Sequence, residues 1–177
     1  RGHLIGMDIA TGKTIVERNL RGTGWNVVTM VQNTFNKSHL YLATGGEVRC
    51  MTYQEGSFDK VWKTHLFGMG FAASLFLDCT ADSVKSIIVG MASKIVALDP
   101  KEGKVLWKRE YAFGGQFMTI NDFTDSQIIA VCGNHMLGIN KSDGHIAWGT
   151  SMTGGPFVVA TKRQSTDFNT TALPQYL

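Results

Sequence analysis

Apolar residues in this chain come in short runs, each closed by Gly, Asn, Asp or Ser. Between residues 117 and 148 four such runs follow one another: Phe117–Ile120, Ile128–Val131, Met136–Asn140 and His145–Trp148. They are rich in β-branched and aromatic side chains, and they are too short for helices. Runs of this kind, bounded by turn residues, predict strands, here labelled A to D. No eleven-residue window keeps the 3.6-residue spacing of an amphipathic helix. The pattern predicts an all-β chain.

The same four-strand unit recurs. One copy reads Ala97-Leu-Asp99-Pro-Lys-Glu-Gly103-Lys-Val-Leu-Trp107 and a second Gly138-Ile-Asn140-Lys-Ser-Asp-Gly144-His-Ile-Ala-Trp148. A third, Gly6-Met-Asp8-Ile-Ala-Thr-Gly12-Lys-Thr-Ile-Val16, carries valine in the tryptophan position. A fourth, Cys50 to Trp62 through Gly56, is longer by two residues. The anchor positions 16, 62, 107 and 148 are spaced by 46, 45 and 41 residues, the period of a four-stranded propeller blade. Glycine pairs at Gly22/Gly24, Gly68/Gly70, Gly114/Gly115 and Gly154/Gly155 keep step with it.

The repeated segment has a physical reading. Asp8, Asp99 or Asn140 ends strand C, where a short polar side chain can accept from backbone amides two residues on. Gly12, Gly103 and Gly144 supply the positive φ that closes the hairpin. Four residues later, Trp62, Trp107 and Trp148 are predicted to point from strand D into the gap between blades. Each ring can bury on the order of 150–250 Å² there. Val16 and the expanded loop at Gly56 depart from the pattern and predict looser packing in those blades.

These residues resemble the tryptophan-docking motif of the pyrroloquinoline-quinone-like propeller repeat, found in the quinoprotein-dehydrogenase superfamily. Residues 97 to 107 match its Ala-x-Asp-x-x-x-Gly-x-x-x-Trp form throughout, and the resemblance runs from Gly6 to about Val159. It implies a β-propeller of about four four-stranded antiparallel blades, or half or part of a larger ring. Residues 1–177 then form one domain. Its blades are expected at about 25–64, 71–109 and 116–150, with a composite blade from 1–19 plus 156–177. Strand exchange of that sort leaves few free edges.

Composition narrows the function classes. With 177 residues, 44% of them hydrophobic and 18% charged, the chain can bury a real core. A net charge of +3, with no basic stripe interleaved with aromatics, gives no nucleic-acid footprint. The longest mainly apolar run, Phe67 to Leu77, is too short for membrane insertion. Cys50, Cys79 and Cys132 form no CxxC pair, which favours a reducing, cytosolic compartment; sequons at Asn36, Asn140 and Asn169 leave secretion open.

Several strings imitate enzyme motifs. Gly12-Lys-Thr14 sits in a hairpin turn and lacks the spaced glycine of a P-loop. Gly68-Met-Gly70-Phe-Ala-Ala73 fits a dinucleotide pattern but fills the slot of the other glycine pairs, with no helix to follow. The five histidines (His3, His39, His65, His135, His145) show no metal-ligand spacing. Quinone-dependent members of the resembled superfamily need a longer chain, a calcium site and often adjacent cysteines. None is recognisable, so no catalytic residue, metal or cofactor is assigned, and the resemblance is to a non-catalytic member.

A binding face can still be placed. In a propeller the B–C and D–A loops share one rim. Here that rim would collect Arg1, His3, Arg21 and Trp25, then Glu47, Met69, Lys94, Gln116, Asn134 and His135. His3, Arg21, Trp25, Glu47, Lys94, Gln116 and His135 are the binding candidates, because a rigid scaffold with varied tips suits recognition. The expected function is a non-catalytic binding or scaffold module for protein partners. A carbohydrate-binding lectin is the alternative, and a fragment of a quinone-dependent dehydrogenase a third reading. The partner would be a protein or a glycan, and a homo-oligomer or a second chain could complete the ring.

Overall fold

Successive strands pair with their sequence neighbours in the computed structural model, which describes residues 2–20, 29–33, 35–44, 46–66, 74–91, 94–111 and 118–153. Strands β1 (Gly2–Met7) and β2 (Thr14–Leu20) form a two-stranded sheet. The first four-stranded sheet holds β3 (Thr29–Gln32), β4 (His39–Thr44), β5 (Glu47–Gln54) and β6 (Ser57–His65). The second holds β7 (Ser74–Cys79), β8 (Val84–Met91), β9 (Lys94–Leu98) and β10 (Val105–Glu110). The third holds β11 (Met118–Asp122), β12 (Gln127–Cys132), β13 (His135–Asn140) and β14 (Ile146–Ser151). Every pairing is antiparallel, as in a propeller blade. The strand boundaries of the third sheet fall within three residues of those read from the apolar runs. No helix long and apolar enough to cross a membrane occurs among the described residues.

The inner strands read as unbroken apolar runs because both of their faces are covered. In β8, Ile87 and Val89 join a core with Tyr41, Val48 and Trp62 of the first sheet. Ile88, between them, joins a core with Met118, Ile128 and Leu137 of the third. All three are fully buried, and each such side chain contributes about 1.5–3 kcal/mol through burial. Strand alternation therefore sorts one run into two inter-blade cores. The outer strand β10, by contrast, is mostly exposed.

The Asp-to-Gly turns form as the residue types dictate. The Asp99 carboxylate accepts from the amides of Lys101 (2.9 Å) and Glu102 (2.7 Å), while Gly103 N donates to Asp99 O at 2.9 Å. The Asp8 carboxylate accepts from the Thr11 amide and hydroxyl, each at 2.7 Å. Its pKa is lowered, first by the Thr11 hydroxyl and then by the Thr11 amide.

The copy around Gly56 departs from the sequence reading. Its two additional residues do not enlarge the loop. Gln54 pairs with Ser57, so Glu55 (φ 50°) and Gly56 (φ 78°) make a tight two-residue turn. The extra residues lengthen the hairpin instead, with Thr52↔Asp59 and Tyr53↔Phe58 as added pairs. The gap beside β1–β2 is filled as well. Phe58 and Met51 from this hairpin bury against Leu4 and Leu20, with Val16 packed alongside. A phenylalanine from the neighbouring sheet thus occupies the junction that lacks a tryptophan. The strands expected at 156–177 to complete this blade lie outside the described residues.

Candidate functional site

Among the described residues, two of the three motif tryptophans, Trp62 and Trp107, reach the next blade. From β6, Trp62 Nε1 donates to Pro100 O at 3.1 Å, and Thr64 Oγ1 donates to Gly103 O at 2.6 Å. From β10, Trp107 Nε1 donates to Lys141 O at 2.8 Å, and Arg109 Nε donates to Asp143 O at 3.0 Å. Each ring lies across the turn glycine of the receiving blade. A Cβ on Gly103 (φ 70°) would sit 2.5 Å from Trp62, and one on Gly144 (φ 73°) 2.6 Å from Trp107. Trp148 differs: its Nε1 donates to Gln127 Oε1 of its own sheet at 3.3 Å, and its ring meets Phe123 edge-on at 5.9 Å. The first position of the motif is small for a related reason. Cys50, Ala97 and Gly138 pair directly across the strands with Trp62, Trp107 and Trp148.

The candidate binding residues divide by where they fall. Arg21, Trp25 and Gln116, like Arg1 and Met69, lie outside the described residues. Glu47, Lys94 and His135 each open the third strand of their sheet, one register position repeated three times. His3 lies second in β1 and bonds to Glu17 across the hairpin. The equivalent positions carry different charges and different neighbours. Lys94 pairs with Glu110 at 3.6 Å. Glu47 is buried, bonded to Arg49, with Lys63 at 3.1 Å and His65 at 3.9 Å. Its carboxylate is an internal counterion of β5 and β6.

Charge is also buried between the second and third sheets. Lys141, in the turn that receives Trp107, extends its ammonium to Asp78 (3.3 Å) and Asp122 (2.8 Å), with the Phe76 ring centroid at 5.2 Å. A cavity of about 580 Å³ opens beside it, lined also by Cys79 and Asp125.

A second cavity, of about 550 Å³, lies between β2 and the β5–β6 hairpin. Arg18, Arg49, Lys60 and Lys63 line it together with the buried Leu20 and Met51. Sequence reasoning missed this cluster, because its four cations come from three strands. The alternation Glu47-x-Arg49 and the pair Lys60/Lys63 were the available signal. Among the described residues no group of His, Cys, Asp and Glu is placed to hold a metal ion.

Stacked four-stranded sheets, joined by a tryptophan from one laid over the turn glycine of the next, define a β-propeller of the PQQ-like repeat type. The family described as outer membrane protein assembly factor BamB matches residues 44–174, and the chain belongs to that family. Among solved structures, the crystal structure of BamB from Moraxella catarrhalis is similar, at 16% identity and a TM-score of 0.46. That alignment covers 71% of this chain and 39% of the other. No curated protein matches.

Proposed function

We propose that this propeller is a non-catalytic module that binds a partner protein and serves as a scaffold within an assembly. The observation that carries the reading is the repeated register position at Glu47, Lys94 and His135, where Glu47 turns inward while Lys94 and His135 stay half-exposed. One rigid frame, with cores on both sides of its inner strands, presents different side chains at equivalent points. Rigid supports with varied tips give specificity at a low ordering cost. The family's name, an assembly factor, agrees with such a role.

Native mass spectrometry of the protein purified gently from its own source tests the proposal. A stoichiometric second protein is expected, and a chain that always runs alone overturns it. With the partner in hand, replacing Lys94 with Gln and His135 with Asn should weaken the complex. The melting temperature should change little, since Glu110 is exposed and solvent on that side limits its pair with the half-buried Lys94 to about 0–1 kcal/mol. Unchanged affinity would place the contact elsewhere.

A further inference from the structure

The cavity between β2 and the β5–β6 hairpin is built for anions. Four cations line it, and the carboxylates paired with them are Glu47 and Asp59. Glu47 is shared: Arg49 and Lys63 both lean on the one carboxylate. Arg18 meets Asp59 at 3.6 Å, where both side chains are about half exposed (45% and 63%). Such a pair is weak and exchangeable. Lys60 has no ion-pair partner among the described residues. Among the described residues, four cations thus face two carboxylates. Arg49, by contrast, is buried (8% exposed) and held by Glu47, so one guanidinium is fixed in place before any ligand arrives. The cavity beside Lys141 offers no such excess, because Asp78 and Asp122 already face that ammonium.

We infer that this cleft is the docking site for an acidic segment of a partner protein, one carrying several Glu or Asp side chains. The volume, about 550 Å³, exceeds what a lone phosphate or carboxylate fills. The cations sit on three separate strands, so a ligand with several spaced carboxylates satisfies them better than one compact anion. Leu20 and Met51, both nearly fully buried, give the methylenes of such side chains an apolar wall. Among the described residues no aromatic ring lines the cleft, whereas single-stranded nucleic acid is held largely by stacking. The incoming carboxylate takes the place of Asp59 on Arg18 and adds a partner for Lys60. This site rests on the scaffold reading and names the chemistry of the partner.

Fluorescence anisotropy with a fluorescein-labelled decaglutamate peptide, at about 20 mM and about 150 mM salt, tests it on the full chain. Binding is expected at low salt and should weaken as salt rises. Arg18→Gln with Lys60→Gln, both at exposed positions, should lower affinity by about tenfold or more. The control pair Lys101→Gln with Lys108→Gln, exposed cations of the second sheet, should change it by less than about twofold. Absence of binding at low salt overturns the proposal. Equal loss in the control pair overturns it too, since that is attraction to net charge alone. So does equal binding of a decaglutamine peptide. Calorimetric binding of inorganic phosphate without peptide binding overturns it in favour of a small oxyanion site. The two readings fail separately: a partner that co-purifies with the Arg18/Lys60 variant at full strength sinks this cleft and leaves the scaffold role standing. A chain that runs alone yet binds the peptide does the reverse.

Discussion

Gly103 and Trp62 belong to different sheets, yet the environment of each is set by the other. The ring leaves no room for a Cβ, and the turn needs a positive φ. Gly103→Ala should therefore lower stability by about 2–5 kcal/mol, from crowding plus the left-handed backbone. Gly56→Ala, with a similar φ but nothing within 4 Å of its Cβ position, should cost only the backbone part, about 1–2 kcal/mol. Trp62→Ala removes a buried ring and should cost about 3–5 kcal/mol. In that background the cost of Gly103→Ala should fall toward the Gly56 value, with Thr64 Oγ1, 2.7 Å from the same Cβ position, keeping part of the crowding. Urea denaturation of the three single variants and the double mutant checks this; additive losses would show that the ring and the glycine do not couple.

At the scale of elements, the hairpin β5–β6 shows how far sequence spacing carries. The Asp-to-Gly turns at 8–12, 99–103 and 140–144 were legible, because their whole logic is local: a short polar residue at the strand end, then a glycine four residues on whose amide donates back to that residue's carbonyl. The Glu55–Gly56 turn was not. Its two additional residues were counted as loop, but register is decided by cross-strand pairs such as Tyr53↔Phe58, which spacing alone does not reveal. The basic cleft was illegible for the same reason. Arg18, Arg49, Lys60 and Lys63 meet only once β2 has packed against β6. That packing depends on Phe58. Phe58→Ala should open the junction at Leu4, Leu20 and Val16. Native-state hydrogen exchange should then show lost protection in β1 and β2, with β12 and β13 unaffected. Uniform loss would mean that the hairpin is not a separable unit.

For the molecule as a whole, the buried acids of the inter-blade cores govern the alkaline limb of stability. Cys50, Cys79 and Cys132 are thiols outside any disulfide. Burial pushes the Cys50 thiol from 9.0 up to about 12, and also raises Cys132 and the Tyr41 and Tyr111 hydroxyls, burial being the leading cause in each. In the folded chain these groups keep protons that the unfolded chain releases. Their contribution is complete below the unfolded values and declines as pH rises past about 9, then past about 10 as the tyrosines join. The melting temperature should hold near neutrality and drop between about pH 9 and 11. A flat profile over that range would mean that these groups are more accessible than their burial indicates. Iodoacetamide at neutral pH should label the exposed Cys79 and spare Cys50 and Cys132 until the chain unfolds.

Trp62 hands its ring forward to the turn of the second sheet, and Trp107 does the same to the third. The junction is one-way, with a donor side and an acceptor side, like the heterologous contacts that build rings and filaments. Nothing in such a joint records how many units the finished object contains. Copy number can then change by duplication or loss of a whole repeat without inventing a new interface, since each added unit brings one donor and one acceptor. What must be re-made on each occasion is curvature, and that resides in the few side chains, such as Phe58 and Lys141, that make one junction unlike the next.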